Sequence, residues 1–339
     1  MLNIAFIGYG NSVLNYHLPY LARMNNICVK KIFRREEDRQ NDRETETWYP
    51  AITFTSQLDD LWDDPEIELI VVSTHVDTHA EYAIGALQHG KHVLVEKPFA
   101  NNTTEAQQVF ALAKEKGLIA MANQNRRFDA DFLTLKKVLE SGKLGNIVEL
   151  QSHYDYFMPE KVKPGFGKLY GLAVHTLDQV WSYFGKPDRV VYDVRSIYFP
   201  GENDDFVDID LFYGVTKVTI KCSDFVKKTP AKFSVYGDKG CFIKNSSGHQ
   251  HKNSHGPTTV SFTPEAQENW GELYYRDESG NDCHERIPSE VTDYGLLYQA
   301  LYQSIRHGAD KPVQDDEVLG VMGLLEQGMV AAKNQYRGA

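Results

Sequence analysis

One lysine stands between a glutamate and a proline, Glu96-Lys97-Pro98, directly after a short apolar run. Residues 93–95 are apolar and include β-branched side chains, which predicts a buried strand. Ligands of open α/β sheets bind just beyond the carboxyl ends of such strands. Proline restricts the residue before it, so we expect Lys97 to be extended and available for proton chemistry. A purely structural Glu-Lys ion pair at a strand end is the alternative.

A glycine motif follows the first predicted strand, residues 3–7. Gly8 and Gly10 open a Gly-x-Gly-x-x-Gly frame in which Val13 takes the last position. The first glycine permits a tight turn, and the second lets a pyrophosphate approach the main chain at a helix N-terminus. The third glycine serves mainly helix–strand packing, so a valine at this position changes the packing more than it changes pyrophosphate binding. The motif predicts a dinucleotide site that includes Gly8, Gly10, Asn11 and Ser12.

Two arginines, Arg34 and Arg35, follow the second predicted strand, residues 27–33. A dinucleotide site usually has an acidic residue here, which binds the ribose 2′-hydroxyl. Guanidinium groups instead pair with a 2′-phosphate. The sequence therefore favours NADP over NAD. Two solvated arginines that balance the acidic residues 36–38 are the alternative.

The clearest buried strand is residues 68–74, and a polar loop follows it. Such a loop can face the nicotinamide end of the cofactor. We therefore expect Thr74, His75 and His79 to bind the cofactor, together with Glu96 and Lys97.

Strand and helix patterns alternate through the first part of the chain, which predicts a parallel sheet with right-handed crossovers. Further strands are expected at 52–55 and 118–121, helices at 58–62, 80–89 and 104–116, and a charged loop at 40–50.

The second part begins with a predicted helix at 130–139 and a long strand at 147–156. After Arg189 the alternation predicts an antiparallel meander. Its strands are expected at 190–198, 207–213, 215–225, 232–236, 272–276 and 283–287, before closing helices at 294–307 and 316–334. Such a wide sheet must be shielded from water on both faces, and self-association through one face is the simplest way to achieve this.

His175 and Asp178 share one face of a predicted helix that ends at Phe184. A capped helix start with a satisfied histidine is the alternative. Tyr154 and Tyr170 could donate hydrogen bonds to a substrate.

Three histidines lie in a polar segment at 249, 251 and 255. Zinc binding there is conceivable, but no acid or cysteine completes a site, so we expect a solvated loop and no metal.

The length of 339 residues suggests two domains, which we place at 1–122 and 123–339. A net charge of −11 argues against nucleic-acid or anionic-membrane partners. The four cysteines show no metal or redox spacing, and no apolar stretch reaches the ~18 residues of a membrane span. There is also no signal-peptide pattern at the N-terminus, so we expect a cytoplasmic protein.

Several motifs stand in one order along the chain: Ile7-Gly8-Tyr9-Gly10, Val72-Ser73-Thr74, His79, Gly90-Lys91-His92-Val93-Leu94-Val95-Glu96-Lys97-Pro98 and Asn125-Arg126-Arg127-Phe128. This order resembles the glucose-fructose oxidoreductase / inositol dehydrogenase / rhizopine-catabolism family (Gfo/Idh/MocA). The resemblance implies a doubly wound Rossmann domain followed by an α+β domain with a large, open, mostly antiparallel sheet. It also implies Lys97 in the active site, a cis bond before Pro98, and oligomers built through the open sheets.

The resemblance assigns further residues. It implies that Asn125 binds the cofactor and that His175 is catalytic. In many relatives an aspartate stands four residues before this histidine, whereas Gly171 stands there in this chain. The substrate contacts are then expected from Lys97, Arg127, Tyr154, Tyr170, His175 and Asp178.

The predicted reaction is reversible hydride transfer between NADP, or NAD, and a hydroxyl-bearing carbon of a small sugar, polyol or sugar derivative. Lys97 and His175 would manage the proton. A catalytically silent cofactor-binding sensor is the competing class, which Gly171 favours slightly. A purely structural protein explains neither the glycine turn nor Glu96-Lys97-Pro98. We expect a homo-oligomer, either a dimer or a tetramer.

Overall fold

The computed structural model describes residues 1–158, 167–246 and 256–335, which form two compact units. The first unit comprises residues 1–125 together with 256–261 and 293–319, and the rest belong to the second. The first stretch ends at Asn125, close to the boundary placed at 122 from the sequence, and two later segments return to this unit.

The first unit contains a six-stranded parallel sheet with the order β3-β2-β1-β4-β5-β6. The strands are β1 (Leu2–Ile7), β2 (Ile27–Phe33), β3 (Thr53–Thr55), β4 (Leu69–Val72), β5 (His92–Val95) and β6 (Ala120–Ala122). All four residues of β4 have zero solvent exposure, as expected for a strand covered on both faces. The strand order reverses between β1 and β4, where doubly wound sheets bind ligands.

Helices of the first unit connect these strands. They are α1 (Leu18–Leu21), α2 (Glu36–Asn41), α3 (Asp59–Trp62), α4 (His79–Gln88), α5 (Thr103–Lys116) and, after the return of the chain, α8 (Gly295–His307). A single π-helical turn, Val13–His17, precedes α1. Such turns are frequent at functional sites.

The second unit contains an eight-stranded mixed sheet with the order β14-β13-β12-β11-β7-β10-β9-β8. The strands are β7 (Ile147–His153), β8 (Arg189–Arg195), β9 (Phe206–Tyr213), β10 (Thr216–Ser223), β11 (Phe233–Gly237), β12 (Gly240–Lys244), β13 (Gly271–Arg276) and β14 (Asp282–Ile287). One face packs in the core against α6 (Ala130–Glu140) and α7 (Val174–Phe184). The last helix is α9 (Asp315–Gln335).

The prediction of a simple meander was wrong in one respect. Strand β7 lies between β10 and β11 and runs parallel to β10, so the first strand of this unit is inserted into the middle of the sheet. The sequence analysis also missed β12, which pairs with β11 across the turn 237–240.

The charged segment expected to be a loop is partly helical. It contains the end of α2 and a 3₁₀ turn, Glu44–Trp48. The guanidinium of Arg34 bonds to the Asp38 and Asp42 carbonyls and to the Glu46 carboxylate, so a buried charge organises this segment.

Within the described part of the chain, no helix has both the length and the apolar character needed to cross a bilayer. The segment with the three histidines, for which the sequence predicts a solvated loop, lies outside the described residues, as do residues 159–166.

Candidate functional site

Gly8 ends β1 in a conformation that only glycine adopts easily. Its φ is +100°, and a Cβ there would lie 2.1 Å from the Ser73 carbonyl oxygen, beyond the end of β4. The ends of the two central strands therefore approach each other main chain to main chain. At the exposed Gly10, by contrast, a Cβ would meet no atom within 4 Å.

The helical segment starts after Gly10, so the amides of its first turn have no partner carbonyl in a preceding turn. Exposed glycine and free helix amides suit a pyrophosphate, so the residues present fit a dinucleotide.

A cleft of about 520 Å³ opens beside this turn. Its lining contains six of the residues predicted to bind a cofactor: Gly8, Gly10, Arg34, Arg35, Thr74 and His75. The larger cleft, about 780 Å³, lies at the hairpin turns of the second unit and contains none of the predicted site residues. Because the smaller cleft lies at the strand reversal, it is the candidate ligand site despite its smaller volume.

The two arginines at the rim differ in their surroundings. The Arg34 side chain is 6% exposed and pairs with Glu46 at 2.9 Å, and its guanidinium lies over the Tyr9 ring. The Arg35 side chain is 64% exposed and pairs with Asp38 and Glu37 on the surface. The Arg34 guanidinium is thus held by contacts within the protein, whereas the Arg35 side chain can turn towards a ligand in the cleft.

The loop after β4 is held by side chains within the unit. The Thr74 and Thr78 hydroxyls lie 2.8 Å apart, and the exposed His75 pairs with Asp77. The buried His79 ring lies 2.8 Å from the Pro98 carbonyl through Nδ1 and 3.2 Å from the Thr74 carbonyl through Nε2. Burial lowers the pKa of His79 despite these carbonyls, and a neutral ring has one N–H, so it donates to one of the two carbonyls and packs against the other.

Lys97 lies directly beyond β5, partly exposed, and the Lys97–Pro98 bond is cis, as the resemblance implied. The Glu96 carboxylate is buried beside it. Its Oε1 accepts hydrogen bonds from Ser12 at 2.8 Å, His17 at 2.7 Å and Asn123 at 2.8 Å. Burial raises the pKa of Glu96, but donation from His17 and nearby positive charge outweigh burial and bring the pKa to about 2. Glu96 is therefore an ion at neutral pH.

Sequence reasoning missed His17 and Asn123. No periodicity marks either residue as functional. The sequence signals for His17 are its place in the helical segment after the glycine turn and the run His17-Leu18-Pro19-Tyr20, which resembles a subgroup of the family. Asn125, predicted to bind the cofactor, is buried two residues after Asn123.

Within the second unit, Arg127 and Asp178 form a bidentate ion pair at 2.7 and 2.8 Å, with side chains 10% and 1% exposed. The two predicted substrate residues are therefore bound to each other and fix the start of α7. His175, one turn earlier, is also buried.

The two tyrosines and Gly171 complete the predicted set in this unit. Burial raises the pKa of Tyr170 to about 12 and that of Tyr154 further, so both hydroxyls remain donors. Gly171 lies in a π-helical turn, Leu169–Ala173, and a Cβ there would meet nothing within 4 Å. Space for a side chain therefore exists at the position where the family resemblance implies an aspartate.

Two family models match the chain. Residues 2–124 match the GFO_IDH_MocA model, described as an oxidoreductase family with an NAD-binding Rossmann fold. Residues 136–336 match the C-terminal alpha/beta domain of the same oxidoreductase family.

Individual relatives agree with the family models. "Uncharacterized oxidoreductase YhhX" of Escherichia coli K12 is 46% identical, and the match covers 98% of this chain and 97% of the relative. A solved oxidoreductase from Bacillus cereus superimposes with a TM-score of 0.88 at 36% identity, covering 97% of this chain and 96% of that one. The scyllo-inositol 2-dehydrogenase (NADP(+)) IolW of Bacillus subtilis is 29% identical, covering 98% of this chain and 94% of that enzyme.

Proposed function

The chain belongs to the Gfo/Idh/MocA oxidoreductase family, and on that premise we propose that it transfers a hydride between NADP and a hydroxyl-bearing carbon of a small sugar, polyol or sugar derivative. The observation that carries this proposal is the arrangement at the strand reversal. A glycine turn suited to a pyrophosphate follows β1, Lys97 follows β5, and the buried Glu96 ion contacts both segments through Ser12 and the Lys97 main chain.

In the oxidation direction the substrate loses a hydride from carbon and a proton from oxygen, and a carbonyl forms. The bound nicotinamide supplies the hydride-accepting chemistry. Lys97 hydrogen-bonds the reacting oxygen and favours negative charge on it. His175 has the side chain whose ordinary pKa suits proton acceptance near neutrality. These two roles follow the family resemblance, and each is testable by substitution.

The preference for NADP rests on Arg35. An exposed guanidinium at the rim of the cleft can pair with a 2′-phosphate after exchanging its contacts with Asp38 and Glu37. Among the relatives, IolW is named for NADP(+). Tighter binding of NAD⁺ than of NADP⁺ to the purified protein would contradict this preference.

The decisive experiment is a screen of the purified protein with NAD⁺ and NADP⁺ against a panel of polyols, sugars and sugar derivatives. We expect cofactor reduction with at least one panel member. Tight cofactor binding without turnover across the panel would instead support the sensor, which the missing aspartate at Gly171 favours.

A further inference from the structure

A buried chain of polar groups reaches Glu96 from the helical side of the first unit. His17 is the last residue of the π turn after the glycine motif, and its ring has no solvent exposure. Its Nε2 lies 2.7 Å from Glu96 Oε1, and its Nδ1 lies 2.5 Å from the hydroxyl of Tyr298 on α8. Phe6 packs edge-on against the same ring.

The hydrogen-bonding capacity of each group shows where the protons lie in this series of polar groups. An ionised carboxylate only accepts hydrogen bonds, so His17 Nε2 carries a proton. The second ring nitrogen, Nδ1, lies within hydrogen-bond distance of the Tyr298 hydroxyl, which can donate to Nδ1 or accept from it. Burial raises the pKa of Tyr298 well above its ordinary value, so this hydroxyl keeps its proton. Tyr298 therefore orients the His17 ring so that its Nε2–H points at Glu96.

This series of polar groups does not carry protons to solvent, because it ends at Tyr298, which is 1% exposed. Its effect is on position. Glu96 Oε2 accepts the main-chain N–H of Lys97 at 3.1 Å, and Oε1 also accepts the hydroxyl of Ser12, next to the glycine turn. One carboxylate thus contacts both the lysine segment and the cofactor turn.

We infer that His17 and Tyr298 are positioning residues, which hold the Glu96 carboxylate so that Lys97 and the glycine turn keep a fixed geometry. This inference rests on the proposed function for its catalytic consequence. The contacts themselves lie within one unit and are independent of the substrate.

The first test compares His17→Leu with His17→Gln, whose amide can still donate to the carboxylate. For His17→Leu we expect kcat to fall about 100-fold, the scale of a misplaced catalytic group, with a smaller rise in the KM for cofactor because Ser12 beside the glycine turn also contacts Glu96. His17→Gln should recover most of the loss. Tyr298→Phe should lower kcat less, and Tyr302→Phe, one turn later on α8, is the matched control.

The pH profile separates positioning from general destabilisation. His17→Leu removes the two largest causes that lower the pKa of Glu96, so burial should raise that pKa above its ordinary value. The kcat of His17→Leu should therefore gain a new acidic limb and recover as the pH rises. A uniform loss of kcat at all pH values, equal in His17→Leu and His17→Gln, would overturn the inference.

Two measurements need no turnover. The pKa of Glu96 in the folded protein, about 2, lies below its ordinary 4.5, so this group stabilises the fold above pH 4.5 and loses that contribution as the pH falls towards 2. In His17→Leu the pKa of Glu96 is expected to lie above its ordinary value, so ionising the buried carboxylate costs stability. The melting temperature of this variant should therefore fall further below that of the wild type as the pH rises from 4 to 7. The acylation rate of the Lys97 amine, followed by mass spectrometry, should change in His17→Leu and not in Tyr302→Phe.

Parallel melting curves and an unchanged Lys97 acylation rate would overturn the inference even if the wild type is active. Absence of wild-type turnover on every substrate would overturn the proposed function, and these two measurements would still decide whether His17 positions Lys97.

Discussion

Among single residues, Gly8 and Gly10 give a matched pair of substitutions. Gly8→Ala places a Cβ against the Ser73 carbonyl at a left-handed φ, so we expect a destabilised fold as well as lost cofactor binding. Gly10→Ala meets no protein atom, so the fold should keep its melting temperature while cofactor affinity falls at least ~10-fold, because the methyl group occupies the space of the pyrophosphate.

Calorimetric titration with NADP⁺ and thermal unfolding check both variants. Full affinity for the cofactor in Gly10→Ala would show that the pyrophosphate does not approach this turn.

Lys97→Met tests the reacting side chain. Methionine keeps the length of the apolar stem and removes the charge, so fold and cofactor binding should persist while kcat falls about 10²- to 10⁴-fold, the usual contribution of an acid–base group. Lys116→Met, at the exposed end of α5, is the control. Turnover of Lys97→Met near the wild-type rate would remove Lys97 from the mechanism.

Arg35→Gln tests cofactor choice. Loss of one charge-assisted contact should weaken NADP⁺ binding about 10- to 100-fold and leave NAD⁺ binding nearly unchanged. Arg43→Gln changes an exposed arginine outside the cleft and is the control. Equal weakening of both cofactors by Arg35→Gln would mean that Arg35 does not recognise a 2′-phosphate.

At the scale of elements, the Arg127–Asp178 pair joins the 3₁₀ turn Asn125–Phe128 to α7. Arg127→Met removes the bidentate partner of a carboxylate that is 1% exposed, so the free energy of unfolding should fall by about 3–5 kcal/mol. Replacing both partners, as Arg127→Met with Asp178→Leu, should recover part of that loss. Urea unfolding of the two single variants and the double variant measures the coupling, and strictly additive losses would contradict it.

Most elements could be predicted from local pattern. Strand β2 was predicted at its observed bounds, because the run Ile27–Phe33 is rich in residues that favour strands and a charged segment follows it. The pairing of β7 with β10 could not be predicted, since strand order depends on contacts about 70 residues apart, such as Leu150 with Val218. The helical turns at 36–48 were missed for a different reason: the arginine that organises them, Arg34, is buried, and its burial could not be read from the sequence.

At the scale of the whole molecule, motifs located Gly8 and Lys97, because the glycine turn and the strand end are local features. Tyr298 lies 281 residues from His17 in the sequence, and no pattern in either segment predicts their contact. The return of residues 293–319 to the first unit supplies this tyrosine. The residues assigned to chemistry, such as Lys97, could therefore be proposed from the sequence. The residues that hold them, such as His17 and Tyr298, could not.

Self-association is the last expectation and concerns the outer face of the eight-stranded sheet. Tyr236, Cys241, Tyr274 and His284 lie in register across β11, β12, β13 and β14 on this face. The two tyrosines are 41% and 46% exposed. Exposed aromatic rows of this kind suit a two-fold interface, in which each copy covers the other.

Tyr236→Asp combined with Tyr274→Asp should therefore convert a dimer or tetramer into smaller species, since it places four unpaired charges in each two-fold contact. Val215→Asp, at the turn between β9 and β10 where the side chain is 87% exposed, adds charge away from this row and should leave the oligomer intact. Light scattering with size-exclusion chromatography distinguishes the outcomes. An oligomer that survives the double substitution must form through another surface.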